Sequence, residues 1–214
     1  MVLNGFLNCS KDFRSRRIIL ASICVGLGTL IATSGVWAKT SFTIDPQASS
    51  IRGSIRYTLI GLYQARFTEF SGTIDYDEKN IEQSQVQLTI ETASLKSEFS
   101  RLDRIVVSPR LLDARRYPVI TFKSHSISRQ GDHLWAEGNV VLHGVKREFG
   151  FPFFLQGPFK DTKGNSYLLA KGRMMIRRKD FAVIWNKILD QGGLIVGDHV
   201  NVDWKVTARE KNLR

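Results

Sequence analysis

The stretch EFGFPFFLQG, residues 148–157, carries apolar side chains at every second position: Phe149, Phe151, Phe153 and Leu155. Alternate side chains of an extended chain point to the same side, so these four would form one apolar row. Pro152 lies on the opposite side and has no backbone N–H to donate, which predicts a bulge at this point. The alternation therefore predicts a strand with one buried face.

The same period of two recurs along most of the chain. It is visible in eight stretches: residues 51–59, 67–77, 85–91, 117–128, 134–142, 147–159, 167–178 and 200–208. Such rows are typical of antiparallel strands that bury one face. Eight of them predict an all-β fold, a closed up-and-down barrel without exposed sheet edges. A two-sheet sandwich would give the same alternation.

Residues 94–116 break the pattern with apolar residues at helical spacing: Leu95, Phe99, Leu102, Ile105 and Val106. Ser108-Pro109 then supplies a cap residue followed by proline, as at the first position of a helix. We predict two short helices here, inserted between strands and able to cover one end of a barrel. A weaker helical pattern extends over residues 185–190, before Gly192-Gly193.

The N-terminal residues have the composition of a secretory signal. A basic region with Lys11, Arg14, Arg16 and Arg17 precedes an apolar run, which ends in the small-residue pattern Val36-Trp37-Ala38. We interpret residues 1–38 as a signal peptide that is cleaved after Ala38, and residues 39–214 as one domain. The alternative is a retained membrane anchor, because about 20 apolar residues can span a bilayer.

Cleavage at this point changes the chemistry open to the remaining chain. Cys9 and Cys24 are both removed, which excludes a disulfide, a thiol nucleophile and a thiolate metal site. The 176 residues that remain keep a net charge of +8, because four basic residues and one acidic residue leave with the signal. Two interpretations are open: the basic residues attract an anionic membrane surface or a lipid pyrophosphate, or most of them only solvate the outside of the fold. No nucleic-acid-binding module accompanies these basic residues.

No motif points to an enzyme. The four histidines, His125, His133, His143 and His199, have no metal-site spacing, and we expect them to be solvated. A Gly-x-Ser-x-Gly elbow and a phosphate-binding loop are absent from the sequence. We expect Asp103 and Asp180 to cap helices or to pair with Arg101, Arg104, Arg177 or Arg178. No catalytic residue, metal ion or cofactor is predicted.

The order and spacing of eleven short segments resemble a known family. They are Ser41 to Pro46, Phe67 to Ile74, Ser108 to Asp113, Arg116 to Pro118, Thr121 to Ser124, Leu142 to Val145, Arg178 to Phe181, Trp185-Asn186, Gly192-Gly193, Val196 to Val200 and Val206 to Ala208. In this respect the chain is similar to the YceI-like proteins, which are exported lipocalin-like barrels that bind polyisoprenoid lipids. One departure is Asp180-Phe181-Ala182, where the family usually has Asp-Phe-Gly.

The resemblance implies an eight-stranded antiparallel lipocalin-like barrel with a helical insert and an apolar tunnel. The lipid-binding residues that it implies are Ile55, Tyr57, Phe67, Leu88, Ile90, Ile120, Phe122, Leu142, Phe149, Phe151, Phe153, Met174, Ile176 and Trp204. The residues alone would favour simple core packing, because an eight-stranded barrel either fills with side chains or holds one small ligand.

The function implied is non-catalytic binding of a polyisoprenoid or isoprenoid-quinone lipid in the periplasm, for sequestration or transport. Transient contact with an anionic membrane surface is a further expectation, and a homodimer is left open. One alternative is a structural or interaction protein whose barrel core is filled. A transmembrane outer-membrane barrel is disfavoured, because the second face of the strands is rich in Arg, Lys, Gln, Glu and Thr.

Overall fold

The computed structural model describes residues 39–57, 61–185 and 196–211, and these contain eleven strand segments in one antiparallel sheet. The segments are β1 Thr40–Ile44, β2 Ser50–Tyr57, β3 Gly61–Phe67, β4 Phe70–Tyr76, β5 Gln85–Glu91, β6 Leu95–Lys96, β7 Val119–Gln130, β8 His133–Leu142, β9 Val145–Lys160, β10 Ser166–Arg177 and β11 Val196–Glu210. The predicted signal peptide lies outside the described residues.

Six of these segments are halves of longer strands. Both β1 and β2 pair with β11, through Ile44 opposite Ala208 and Ile51 opposite Trp204, and only a 3₁₀ turn at Pro46–Ala48 separates them. In the same way β3 and β4 form one bent strand, as do β5 and β6. Counted so, eight antiparallel strands close into a barrel, because β11 pairs with both β10 and the first strand. The predicted eight-stranded barrel is confirmed, and the sandwich is not formed.

The alternation in residues 148–157 has the predicted outcome. Phe151 and Phe153 are each only 6% exposed, whereas Pro152 is exposed and Phe154 is 50% exposed. The bulge predicted at Pro152 is wrong, since β8 and β9 stay in register there, with Trp135 opposite Pro152. Instead the ladder between β9 and β10 ends at the next residue, Phe153, where a proline without N–H cannot continue it.

The two ends of the barrel differ. The connections at residues 97–118, 143–144 and 178–185 lie at one end, which we call the helix end because it carries α1, Ser100–Val106. The connections at residues 77–84, 131–132 and 161–165 lie at the other, the far end. The first and last strands meet at the far end, where Lys211 N donates to Ser41 O at 2.8 Å.

Only one of the two predicted inserted helices forms. After α1 the chain folds into irregular turns, in which the amides of Leu111 and Asp113 both donate to Ser108 O. Neither bond has the i to i−4 spacing of an α-helix, so the carbonyl of Ser108 begins a series of turns and not a helical ladder. The helix predicted after Ser108 is therefore wrong, and most of the weaker helical pattern, residues 186–190, lies outside the described residues.

Three further single turns of 3₁₀ helix connect strands, at Ile81–Gln83, Thr92–Ser94 and Arg178–Phe181. Among the described residues, no helix is both long enough and apolar enough to span a lipid bilayer.

Candidate functional site

The barrel contains a cavity of about 340 Å³ that runs along most of its length. Its wall extends from Ile81 and Ser84 at the far end to Leu111 and Val183 at the helix end. Nearly every lining side chain is aliphatic or aromatic. The exceptions are three hydroxyl side chains, Ser54, Ser84 and Thr121, and one charged residue, Arg178. Such a cavity can hold an apolar ligand without specific polar contacts.

Thirteen of the fourteen residues predicted to bind lipid line this cavity. They are Ile55, Tyr57, Phe67, Leu88, Ile90, Ile120, Phe122, Leu142, Phe151, Phe153, Met174, Ile176 and Trp204. The structure thus brings together side chains from nearly all strands of the barrel. Contact of these residues with a lipid stays a prediction.

Phe149 is the residue that the structure places elsewhere. It is half-buried and packs against the cluster formed by Leu111, Val140, Phe181 and Val183. It also borders a small surface depression beside Phe181, where β9 has separated from β10. The 3₁₀ turn after β10 covers this position, so Phe149 does not line the cavity.

Aromatic rings dominate the middle of the cavity wall. The Phe151 ring lies 5.2 Å from the Phe122 ring and 5.9 Å from the Trp204 ring, measured between centroids. The Phe153 ring is 6.3 Å from Trp204. The Trp204 Nε1 atom is buried and has no hydrogen-bond partner among the described residues. The indole therefore contributes mainly an apolar surface to the wall.

The helix end of the cavity is covered by a lid, by which we mean residues 100–116. Five apolar side chains of the lid line the cavity: Leu102, Ile105, Val106, Leu111 and Leu112. In α1 the first three lie at i, i+3 and i+4, so they share one face of the helix. The helical spacing in the sequence indicated the apolar face of Leu102, Ile105 and Val106, but not that this face lines the cavity, and Phe99 at the same spacing is exposed.

Asp103 connects the lid to the barrel wall. It is 7% exposed and accepts hydrogen bonds from Tyr63 Oη at 2.7 Å and from Ser97 N at 2.9 Å. Ser97 Oγ donates to the same carboxylate. Tyr63 belongs to β3 and lines the cavity. The expected helix cap or arginine pair of Asp103 is therefore wrong, whereas Asp180 does pair with Arg177 at 3.8 Å.

These contacts also shift two pKa values. Burial opposes ionisation of Asp103, but the hydrogen bonds from Ser97 and Tyr63 outweigh it and hold the pKa of Asp103 below its ordinary value of 3.8. Burial and the hydrogen bond to Asp103 raise the pKa of Tyr63 above its ordinary value of 10.0. At neutral pH the carboxylate is ionised and the phenol is protonated, which is the arrangement that the hydrogen bonds require.

We expect the stabilisation of the fold by Asp103 to be lost only in strong acid. A lowered pKa means that the ionised form of Asp103 stabilises the folded state above pH 3.8, and that this stabilisation is lost as the pH falls through the folded pKa. The difference in free energy of unfolding between the wild type and Asp103→Asn should therefore be constant from pH 8 to pH 5 and shrink below about pH 4. Urea titrations across this range measure it. A difference that already shrinks near pH 6 would contradict the assignment.

Arg178 is the charged residue of the cavity wall, and its guanidinium donates hydrogen bonds to other groups of the protein. It donates to Gly197 O at 2.9 Å, Val183 O at 2.8 Å and Asp198 Oδ1 at 3.0 Å. These bonds join the chain after β10 to the start of β11. Lys179 also pairs with Asp198, and the pKa of Asp198 is lowered mainly by that hydrogen bond. Arg178 is thus a structural link rather than a free charge for a ligand.

The described residues contain no group of His, Cys, Asp and Glu side chains that could hold a metal ion. His143 is not solvated as expected: it is half-buried, and its Nδ1 lies 3.2 Å from Phe181 O. Its ring packs edge-on against Tyr117 at a centroid distance of 4.5 Å.

Comparisons with known proteins agree with the fold. The YceI-like domain model matches residues 42–208. Protein YceI of Salmonella arizonae is 29% identical over 160 residues, which cover 73% of this chain and 83% of that protein.

Two solved structures share the fold. Burkholderia cenocepacia BcnA has a TM-score of 0.68 at 21% identity, with 77% of this chain and 98% of that chain covered. A polyisoprenoid binding domain from Saccharophagus degradans, implicated in plant cell wall breakdown, has a TM-score of 0.61 at 16% identity, with 81% and 100% covered. The family model spans most of this chain, and the chain belongs to the YceI-like family.

Proposed function

We propose that this protein binds a long apolar lipid of the polyisoprenoid or isoprenoid-quinone type inside the barrel, without chemical conversion. The observation that carries the proposal is the cavity inside the barrel, whose wall is almost entirely aliphatic and aromatic. A hydrocarbon chain that moves from water into such a cavity gains about 0.8 kcal/mol for each methylene that becomes buried. The polyisoprenoid binding domain from Saccharophagus degradans, which shares the fold, supports the choice of ligand class.

The barrel suits a carrier or store better than a catalyst. The candidate cavity has one charged lining residue, Arg178, which is held by backbone carbonyls and Asp198. Acid–base or nucleophilic chemistry needs a reactive group within reach of the substrate. The alternative of an interaction protein with a filled core is disfavoured, because side chains leave about 340 Å³ of the interior unfilled.

The location that we propose is the periplasm, based on the signal-like residues 1–38. N-terminal sequencing of the protein from a periplasmic fraction tests it, and a chain that begins at Lys39 is the expected result. Recovery only in the membrane fraction, with residues 1–38 retained, would support an anchor instead.

The ligand is tested by mass spectrometry of an organic extract. Residues 39–214, which contain the whole closed barrel, are purified from a periplasmic fraction without detergent. A stoichiometric prenyl lipid in the extract is the expected result and identifies the ligand class. An extract without lipid above background, together with no increase in melting temperature on addition of prenyl lipids, would overturn the proposal.

Filling the cavity should abolish lipid binding. Gly53 lines the cavity, and a Cβ added there would meet no heavy atom closer than Val200 Cγ1 at 3.6 Å. Gly53→Phe can therefore place its ring in the space that the lipid would occupy. We expect at least a tenfold loss of lipid per mole of purified protein, measured in the same extracts, with the barrel still folded.

Arg52→Phe is the matched control, because Arg52 is the preceding residue of β2 and points outward to solvent. It adds the same ring outside the barrel and should leave the lipid content unchanged. Equal lipid content in the two variants would place the ligand somewhere other than the cavity.

A further inference from the structure

The lid carries a concentration of unpaired positive charge. Five arginines of residues 97–118 are exposed: Arg101, Arg104, Arg110, Arg115 and Arg116. None of them forms an ion pair with another residue in the described part of the chain. Glu98 is the exposed acid of this connection, since Asp103 is buried and Asp113 half-buried. The lid thus presents a cationic surface to solvent.

The far end of the barrel has the opposite character. Its connections contain five acidic residues, Asp77, Glu78, Glu82, Asp132 and Asp161. Only two basic residues, Lys79 and Lys163, accompany them in those connections. The connections at the two ends therefore carry opposite net charge, with the positive connection at the lid. A positively charged surface such as the lid is attracted to an anionic surface.

Exposed apolar side chains are concentrated at the same end. Phe99, which directly precedes α1, is 50% exposed, and Ile184, after β10, is 53% exposed. Leu62 at the start of β3 and Met175 near the end of β10 are 49% and 56% exposed. Large apolar side chains between basic ones are the composition of surfaces that insert shallowly into a lipid headgroup layer.

We propose that the helix end docks on an anionic phospholipid bilayer, with the lid facing the lipid. The arginines of the lid would contact phosphate headgroups, and Phe99 and Ile184 would enter the boundary between headgroups and acyl chains. Docking would place the covered end of the cavity against the membrane. If the proposed lipid-binding function holds, this is the path by which a ligand enters and leaves without crossing water.

Vesicle flotation tests the docking with lipid-free residues 39–214. Vesicles of phosphatidylcholine alone are compared with vesicles that contain about a third phosphatidylglycerol, at low and at physiological salt. We expect binding to the anionic vesicles only, weakened by salt because surface charges are screened. Each basic side chain near an anionic surface strengthens binding roughly fivefold, so Arg101→Gln with Arg104→Gln should weaken it about 25-fold. Phe99→Ser should weaken it about tenfold.

The matched controls lie at or near the far end. Lys160→Gln with Lys163→Gln removes two exposed charges that form no ion pair with a described residue, and Phe159→Ser removes a phenylalanine that is 41% exposed. Both should bind the vesicles like the wild type. Equal losses at the two ends, equal binding to neutral vesicles, or binding to polyglutamate but not to vesicles would each overturn the docking proposal.

This experiment separates the docking proposal from the proposed function. A protein that floats with anionic vesicles but yields no lipid on extraction docks without carrying a ligand. A protein that yields stoichiometric lipid but never floats with vesicles carries a ligand without docking. The first result overturns only the proposed function, and the second overturns only the docking.

Discussion

Replacing Asp103 by alanine is expected to lower the free energy of unfolding by about 3 kcal/mol. The substitution removes a buried carboxylate and leaves three donors without their acceptor: Tyr63 Oη, Ser97 N and Ser97 Oγ. Buried donors that lose an ionised partner cost more than the bond itself contributes, because they remain desolvated. Urea unfolding followed by circular dichroism measures the effect.

Two further variants locate the effect at this contact. Tyr63→Phe removes one hydrogen bond and keeps the ring in the cavity wall, so a loss of about 1.5 kcal/mol is expected. Glu98→Ala removes an exposed acid of the same connection and should change stability by less than about 0.5 kcal/mol. If Asp103→Ala were as stable as Glu98→Ala, the contact between lid and wall would not hold the lid.

Gly138→Ala is expected to destabilise the barrel by about 3 kcal/mol or more. A Cβ at this position in β8 would lie 2.3 Å from Lys123 O and 2.7 Å from Ser124 Cα, both of them backbone atoms of β7. Backbone cannot turn aside as a flexible side chain can, so the two strands would have to separate. The position faces the irregularity in β7 between Ser124 and Ser126, where the two strands approach closely.

Gly53→Ala is the control for this prediction, since a Cβ there meets only Val200 Cγ1 at an ordinary 3.6 Å. Its stability should stay within about 0.5 kcal/mol of the wild type. Thermal unfolding of both variants measures the comparison. A small loss at Gly138 would mean that β7 and β8 can move apart easily, contrary to their close approach in the structure.

Alternation in the sequence was enough to predict antiparallel strands that each bury one face, although a two-sheet sandwich would give the same pattern. Phe151 and Phe153 are buried and Phe154 is exposed for this reason alone. The cavity could not be predicted in the same way, since an inward side chain can either touch its opposite neighbour or leave space. Phe149 shows this limit: it has the same spacing as Phe151 but is covered by the turn that contains Phe181.

Contacts between distant parts of the chain could not be predicted from the sequence pattern either. Tyr63 and Asp103 are 40 residues apart, and nothing in the spacing of either indicates the other. At Ser108-Pro109 the sequence predicted a helix that does not form. The local signal for a helix start is overridden by turns that return the chain to β7. Local patterns specify which face of a strand is apolar, whereas closure of the barrel decides which side chains meet.

The meeting of the first and last strands has a practical consequence for work with this protein. Because Lys211 N bonds to Ser41 O at the far end, both ends of the described chain leave the barrel on the side opposite to the lid. A fluorescent tag or a chip linker, attached before Lys39 or after Lys211, would hold the molecule at the far end of the barrel. The lid would then face the solution, and its arginines would be accessible to vesicles passed over the surface.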